Sequence, residues 1–402
     1  MPSDDNPEVI RSDVLIIGAG LAGTSAAAVL ARAGRSVTLV DIHAVYPPDF
    51  RAEKIGRPHV ELFDRLGFGD TIRAATTPID ENWVFRFGRL MSRHAEREYG
   101  FAYEGLVNAL RGALPDTVRF LVARVTDVET GPSLQTVALA DGRRIEARLL
   151  VIATGLGDAV RRTAGIGRRE IRRGHSLSLA FDLTRPAASY PFDTLNYFGH
   201  RPEDRVAYLT LFPIGETMRA NFFVYRDVAE PWTKAFRQEP AAMLRAMLPG
   251  LEEACRGLDV AGPVQVRPID LIQAENHRRD GVVVIGDAFA TGCPAPGVGV
   301  RRVLTDVERL CVEHVPRWLA TPGMDAAKIG QFYDDPVKRA CDARSLRVSL
   351  YARSVAVDPG PVWAARRLRN AVVRRSLQIG RRAASGLAGA LGGETADARA
   401  AP

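Results

Sequence analysis

Apolar residues near the start of the chain form a strand, a glycine turn and a helix. The β-branched run VLII at 14–17 is followed by GAGLAG and then by an Ala/Leu-rich stretch that ends at Ala31. Ser36–Asp41 predicts a second strand, parallel to the first through this helix, and so a right-handed βαβ unit. Residues 14–31 are uncharged, but the glycine turn within them favours this unit over a membrane-spanning helix.

The polar–apolar period changes further along the chain. Between about 176 and 270 aromatic and polar residues alternate, as in SLSLAFDL and MRANFFVY, which predicts an antiparallel sheet with one exposed face. The GVVVIGDAFA run at 281–290 then predicts a buried parallel strand. The other predicted elements are helices at 60–66, 103–114, 239–248 and 301–310, and a β-meander formed by 118–128, 134–139 and 144–153. This order predicts a nucleotide-binding α/β domain interrupted by a β-rich insertion and followed by C-terminal helices.

Composition excludes several classes of protein. The chain has 402 residues, of which 46% are hydrophobic and 25% charged, so it is long enough for two or three globular units. The formal net charge of +7 is concentrated in residues 361–402, where eight Arg face only Glu394 and Asp397. The remaining chain is nearly neutral, which argues against a nucleic-acid partner.

The cysteines and the N-terminus indicate the compartment. The four Cys form no CxxC pair, and the acidic start MPSDDNPEVIRSD has no apolar segment of a secretory signal. Reduced thiols and a cytoplasmic location are therefore expected. Fifty Arg beside four Lys suggest a G+C-rich, bacterial genome.

The first candidate site is Gly18-x-Gly20-x-x-Gly23 between strand and helix. These glycines allow a tight turn, a close approach of backbone to a pyrophosphate, and close helix–strand packing. Asp41, at the end of the second strand, is placed to accept hydrogen bonds from ribose hydroxyls. An acid at this position favours FAD or NAD over NADP.

The second candidate site follows the later buried strand. Asp287 ends that strand, where a carboxylate can meet a sugar-chain hydroxyl. Pro294, Gly297 and Gly299 follow in a turn that exposes backbone N–H groups at the start of the next helix.

Together these segments resemble the class A FAD-dependent monooxygenases, the para-hydroxybenzoate hydroxylase-like family, over about residues 12–310. The likeness is carried by GAGLAG with Asp41, by FRAEKIG with Arg51, by ATGLGDAVR at 153–161, and by GDAFATGCPAPGVG with Asp306. It implies an FAD-binding Rossmann-like domain interrupted by a β-rich substrate domain. The implied ranges are 9–75, 103–175 and 276–320 for FAD binding, 76–102 and 176–275 for the substrate domain, and 321–402 for C-terminal helices with a basic tail.

The resemblance also implies a reaction. FAD would be reduced by NADPH or NADH, react with O2 to a C4a-hydroperoxide, and hydroxylate an aromatic or polyketide-like small molecule. Arg51 and Pro294 are the expected catalytic side chains at the flavin ring. The other residues expected to bind FAD are Gly18, Gly20, Gly23, Asp41, Gly155, Asp287, Gly297, Gly299 and Val300.

Substrate contacts are expected from two places. Lys54 and His59 follow Arg51 at helical spacing and could face the substrate. Tyr208, Arg219 and Tyr225 lie on predicted strands of the insertion, where an Arg would suit an anionic group and aromatic residues would sandwich a ring. No metal site is expected, because no cluster has ligand spacing.

Three alternatives stay open at this stage. Thr154 and Asp158 replace the family's usual Asp and Ser in its middle motif, which motivates a flavin-dependent reductase of the geranylgeranyl reductase-like branch. The arginine-rich end could form an amphipathic helix that contacts a membrane surface or a partner protein. A scaffold that holds flavin without catalysis is the non-enzymatic alternative.

Overall fold

The computed structural model describes residues 9–49, 51–199 and 201–370. Its strands are β1 (Val9–Ile17), β2 (Val37–Asp41), β3 (Ala52–Gly56), β4 (Thr77–Arg86), β5 (Arg89–Ala102), β6 (Val118–Val122), β7 (Val125–Glu129), β8 (Gln135–Leu139), β9 (Arg144–Ile152), β10 (Gly167–Pro186), β11 (Thr194–Phe198), β12 (Val206–Ile214), β13 (Thr217–Val224), β14 (Val260–Glu275) and β15 (Val282–Val284).

The helices are α1 (Leu21–Arg32), α2 (Arg57–Arg65), α3 (Gly69–Ala74), α4 (Tyr103–Gly112), α5 (Ala159–Thr163), α6 (Pro231–Gln238), α7 (Pro240–Met247), α8 (Leu251–Ala254), α9 (Gly299–Val307), α10 (Val315–Leu319), α11 (Ala326–Asp334) and α12 (Pro336–Val357). A π-helical segment, Glu308–His314, joins α9 to α10. No helix in this part of the chain is both long and apolar enough to cross a membrane.

The first sheet is the predicted α/β unit. Its order is β6-β2-β1-β9-β8-β7, with β15 added on β9. β1 is parallel to β2 and to β9, so the βαβ unit is confirmed. The C-terminal parts of its central strands β1 and β9 are buried on both faces, as expected when helices cover a parallel sheet.

The predicted meander is correct only in its later part. The run 118–128 contains two strands, of which β6 is parallel to β2 and β7 is antiparallel to β8. The cause is local: beyond β6 the Ala123 N–H donates to the Asp41 carbonyl at 2.8 Å, so the chain follows β2 to its end before it turns.

The second sheet is the β-rich insertion. Its order is β14-β10-β13-β12-β11-β4-β5-β3, and its pairs are antiparallel except β11 with β4. Two strands cross the ranges expected for the domains: β3 lies within 9–75, and β10 begins within 103–175. The chain therefore passes between the two sheets four times.

The C-terminal helices pack on the first sheet and on the turn after β15. α12 contacts α9, and its first turn is capped by Asp335, which accepts hydrogen bonds from the N–H groups of Val337 and Lys338. Residues 361–370 are helical, and the rest of the predicted basic tail lies outside the described residues.

Candidate functional site: a cavity between the two sheets

The first glycine turn is held by backbone contacts that only glycine permits. Gly18 has φ +102°, and a Cβ there would lie 2.6 Å from the Ala153 carbonyl oxygen. At Gly23 a Cβ would lie 1.8 Å from the Gly18 oxygen, so this glycine lets α1 pack against β1. Gly20 precedes α1, and a Cβ there would meet nothing within 4 Å. Gly20 and the first residues of α1, Leu21 and Ala22, line the cavity described below.

Asp41 is fixed by the turn it faces. Its carboxylate accepts the Ala19 N–H at 2.6 Å and the His43 N–H at 2.9 Å. Arg111 of α4 lies 3.4 Å from the same carboxylate and donates to the Ala19 carbonyl at 2.8 Å. The acid is thus oriented at the end of β2, beside the glycine turn.

The second acid lies after β15. Gly286 has φ +64°, and its N–H donates to Asp306 at 2.9 Å. This hydrogen bond fixes the turn that carries Asp287, whose carboxylate accepts a hydrogen bond from the buried Arg302 at 2.8 Å. Asp306 is in turn paired with Lys338 of α12 at 2.7 Å.

Arg51 lies between the two turns. Its guanidinium stacks over the Tyr103 ring, 4.2 Å from the centroid, and pairs with Glu53 at 2.7 Å. Asp287 lies 3.9 Å away. Burial opposes the charge of Arg51, but Glu53, Tyr103 and Asp287 outweigh it and hold its pKa above the ordinary value. Arg51 therefore stays protonated.

The turn from Pro294 to Gly299 joins the sheets. The Gly297 N–H donates to the Pro294 carbonyl at 2.8 Å, and the Tyr208 hydroxyl of β12 donates to the Ala295 carbonyl at 2.8 Å. Cys293 is fully buried behind the turn, and burial raises the pKa of its thiol. It behaves as a small packing residue there.

The middle motif supplies an ion-pair cluster at the rim. Gly155 has φ +60°, and Asp158 pairs with Arg161 at 2.7 Å and Arg168 at 2.6 Å. Partial burial opposes ionisation, but the two arginines lower the pKa of Asp158.

These segments surround one cavity of about 1060 Å³. Asp41 and Asp287 both line it, so the two glycine turns open onto a shared space. The predicted site residues that line it are Gly18, Gly20, Asp41, Arg51, Gly155, Tyr208, Asp287, Pro294, Gly297, Gly299 and Val300. The side of the cavity away from the glycine turns is the second sheet.

Four predicted residues do not line this cavity. Gly23 is below the first turn, where it packs. Arg219 is directed to Asp182 on the neighbouring strand, with 2.6 Å between Nε and Oδ1, so it offers no charge to a ligand there. Tyr225 is buried in a cluster with Phe223 and Cys293, and its ring meets His175 edge-on at 5.8 Å.

His59 is the fourth. It lies on α2, while Lys54 lies on strand β3, so the expected helical spacing of the two is wrong. Burial and the charge of Arg301 lower the pKa of His59. Lys54 does line the cavity and pairs with Glu98 at 2.6 Å.

Sequence reasoning missed several residues of this site. Tyr103 stacks under Arg51, Arg302 holds Asp287, and Thr210 and Asn221 line the second-sheet wall. Arg302 could have been found, because it follows Gly299 by about one helical turn. Thr210 required knowledge of which face of β12 meets the cavity.

Comparison with known proteins agrees with this geometry. A family model described as an FAD binding domain matches residues 11–313. Ubiquinone hydroxylase UbiL of Rhodospirillum rubrum is 31% identical over 182 residues, or 41% of this chain and 42% of that protein. Menaquinone reductase of Mycolicibacterium smegmatis is 28% identical over 330 residues, 72% and 73% of the two chains. The first match therefore spans less than half of the relative's length.

A solved structure shows the same fold over nearly the whole chain. p-Nitrophenol 4-monooxygenase PnpA of Pseudomonas putida aligns with a TM-score of 0.72 at 17% identity, covering 93% of this chain and 98% of that one. This likeness concerns the fold alone.

Proposed function

Because the chain belongs to the FAD-binding family of class A flavoprotein monooxygenases, we propose that it hydroxylates an aromatic or polyketide-like small molecule. The observation that carries the proposal is the single cavity lined by Asp41, Asp287 and the second sheet. In the balanced reaction one atom of O2 enters a C–H bond of the substrate and the other leaves as water. NADPH or NADH supplies the hydride, and a proton comes from solvent.

The residues present fit FAD. A Cβ at Gly20, Gly155, Gly297 or Gly299 would meet nothing within 4 Å, so these backbone positions leave room for a ligand along the cavity wall. The first turns of α1 and α9 offer free N–H groups and positive dipole ends to anionic groups. Val300 lies in the first turn of α9 beside them.

The two acids are proposed to hold opposite ends of the cofactor. Asp41, oriented by Ala19 and His43, would accept the ribose hydroxyls of the adenosine half. Asp287, oriented by Arg302, would accept a hydroxyl of the ribityl chain. Gly18 and Gly23 shape the turn, since their own contacts are with protein backbone.

Arg51 and Pro294 are proposed to act at the ring. When bound, FAD supplies the redox chemistry that carries electrons from the donor to O2 and delivers an oxygen atom to the substrate. Arg51 remains protonated there and can stabilise negative charge. Pro294 and Tyr208 hold the turn closed against the second sheet, which restricts access of water from that side.

A spectroscopic experiment tests the proposal. The purified protein, reconstituted with FAD, should show a bound-flavin spectrum that NADPH or NADH bleaches anaerobically, faster with a substrate present. Aerobic turnover under ¹⁸O₂ should place label in the product. A protein that cannot bind FAD overturns the proposal. A product that is reduced and carries no ¹⁸O also overturns it, because that result would indicate a reductase, the reaction class named in menaquinone reductase.

We also propose a cytoplasmic enzyme, supported by free thiols at all four cysteines. The basic tail is proposed to contact an anionic membrane surface or a partner. Within the described part of it, Arg366 stacks on Trp363 and Arg367 bonds the Val355 and Asp358 carbonyls, so some of its arginines serve packing. Removal of 371–402 should abolish liposome binding and leave turnover unchanged.

A further inference from the structure

The second-sheet wall of the cavity carries a polar row that runs across five strands. In register, Gln265 of β14 faces Ala180 of β10, which faces Asn221 of β13, then Thr210 of β12 and Asn196 of β11. All five line the cavity. Residues opposite each other on one face of a sheet have adjacent side chains. We call Gln265, Asn221, Thr210 and Asn196 the polar row.

The neighbouring row on the same face is aromatic. Phe223 faces Tyr208, which faces Phe198, and the ring centroids are 5.0 and 5.4 Å apart. The Tyr208 hydroxyl reaches the Ala295 carbonyl, so this aromatic row lies beside the Pro294 turn. The two rows are about 7 Å apart along the strands. A ring packed on the aromatic row would therefore direct its substituents to the polar row.

One group in the polar row has no partner. Thr210 is 5% exposed, and its hydroxyl makes no hydrogen bond with any residue that the structure describes. A buried, unsatisfied hydroxyl costs about 1–3 kcal/mol, which a ligand with a matching donor or acceptor would recover. The neighbouring Asn196 is held in place, because its amide nitrogen donates to Asn82 at 2.8 Å.

The charges of the cavity disfavour an anionic ligand. Among the described residues that line it are seven carboxylates and four cations. Each cation already has a carboxylate partner: Arg51 pairs with Glu53, Lys54 with Glu98, Arg168 with Asp158, and Arg267 with Asp49. Burial also lowers the pKa of Lys54. FAD brings further negative charge from its diphosphate.

We propose that the substrate is an uncharged aromatic compound with several hydroxyl or carbonyl groups, held by the polar row and the aromatic row. This inference rests on the proposed function and specifies its substrate class. An aromatic carboxylate would meet a surplus of negative charge, and a long alkyl tail would bury the amides and the hydroxyl of the polar row without hydrogen bonds.

Calorimetric titration of the FAD-loaded, full-length protein tests the proposal. The probes are a dihydroxyacetophenone, its dimethyl ether, the dihydroxybenzoate with the same ring pattern, and a decyl-substituted benzoquinone. We expect the dihydroxyacetophenone to bind about tenfold more tightly than each of the others. Equal or tighter binding of any of the three comparison probes, or no binding of the dihydroxyacetophenone, overturns the proposal.

A matched pair of variants assigns the effect to the polar row. Thr210→Val should weaken dihydroxyacetophenone binding about fivefold, weaken binding of the dimethyl ether less because the ether retains only acceptors, and leave FAD binding unchanged. Thr38→Val, at a buried position of β2 outside the cavity, is the control and should change none of these. If the two variants bind the dihydroxyacetophenone alike, the polar row does not select the substrate.

The outcome is separable from that of the proposed function. Lack of FAD binding, or of donor-dependent O2 uptake, would contradict the monooxygenase activity. The probe titrations measure binding without turnover and can be repeated on the protein without FAD. They therefore test substrate binding by the polar row independently of the monooxygenase activity.

Discussion

At the scale of single residues, two glycines of the turn before α1, Gly18 and Gly20, have different roles. Gly18 is required by the fold, since its φ of +102° and its approach to Ala153 leave no room for a side chain. A Cβ at Gly20 would meet none of the described residues within 4 Å, so we expect a bound ligand, and not the fold, to disfavour a side chain there. The two glycines therefore distinguish a requirement of the fold, at Gly18, from a requirement of ligand binding, at Gly20.

We predict opposite signatures for two substitutions in this turn. Gly18→Ala should lower the free energy of unfolding of the FAD-free protein by more than about 1 kcal/mol, because strain and a backbone clash add. Gly20→Ala should leave that free energy unchanged and weaken FAD binding about tenfold. Thermal unfolding and flavin fluorescence titration measure the two effects. Gly105→Ala, with an open site in α4, is the control. An equal loss of stability in both turn variants would contradict this assignment.

A buried histidine gives a second prediction at this scale. Burial, with the charges of Arg353 and Arg172, lowers the pKa of His175 to about 4, from 6.5. The unfolded chain therefore binds a proton between these pH values that the folded chain does not, so stability falls as pH falls through this window. Between pH 6.5 and 4 the wild type should lose about 1–3 kcal/mol more than His175→Phe. Chemical denaturation at several pH values measures this, and parallel curves would refute it.

At the scale of elements, α12 stabilises the site from behind. Lys338 is 1% exposed and pairs with Asp306, which in turn accepts the Gly286 N–H of the turn that carries Asp287. Its charge also lies over the Phe289 ring at 4.1 Å. Lys338 also pairs with Asp342 at 3.0 Å. The buried pair of Lys338 and Asp306 thus fixes the turn that carries Asp287, which we propose binds FAD.

Removing one partner of this pair should be costly. Lys338→Met leaves Asp306 buried without its cation, and we expect the free energy of unfolding to fall by about 3–5 kcal/mol. Adding Asp306→Asn to Lys338→Met should restore part of that loss, because the amide keeps an acceptor for Gly286 and carries no charge. A double-mutant cycle in urea measures the coupling. Strictly additive losses would show that the pair does not act as a unit.

The elements also show how far the sequence alone could go. The βαβ unit, the turn after β15 and the antiparallel insertion were predictable, because each is encoded by glycines and periodicity within a short segment. The role of Arg219 and the pairing of the run 118–128 were not predictable, because each depends on a strand distant in sequence. Asp182 on β10 pairs with the Arg219 guanidinium, and β6 pairs with β2. Alternation along a strand gives the face of a side chain but not its neighbour.

At the scale of the whole molecule, the cavity that we propose holds FAD is lined by residues of both sheets. Asp41 and Asp287 border the first sheet and Tyr208 belongs to the second, and all three line one cavity. Ligand binding at such a junction should stabilise the protein as a unit.

We therefore predict that FAD shifts a single unfolding transition rather than one of two. At free FAD about a hundredfold above its Kd, the stabilisation should be about 2.7 kcal/mol. Calorimetry and tryptophan fluorescence should both report this shift, because Trp83 lies in the second sheet and Trp318 packs against the first. A second unfolding transition that FAD does not shift would show that the sheets unfold independently.

The four passages of the chain between the sheets divide the molecule in sequence as well as in space. The polar row and the aromatic row both come from the single stretch between the third and fourth passages, which runs from β10 to β14. The glycine turn before α1 and the turn after β15 lie outside that stretch, one on each side of it. Recombination can therefore exchange one contiguous segment for another specificity and retain the two turns that we propose bind FAD.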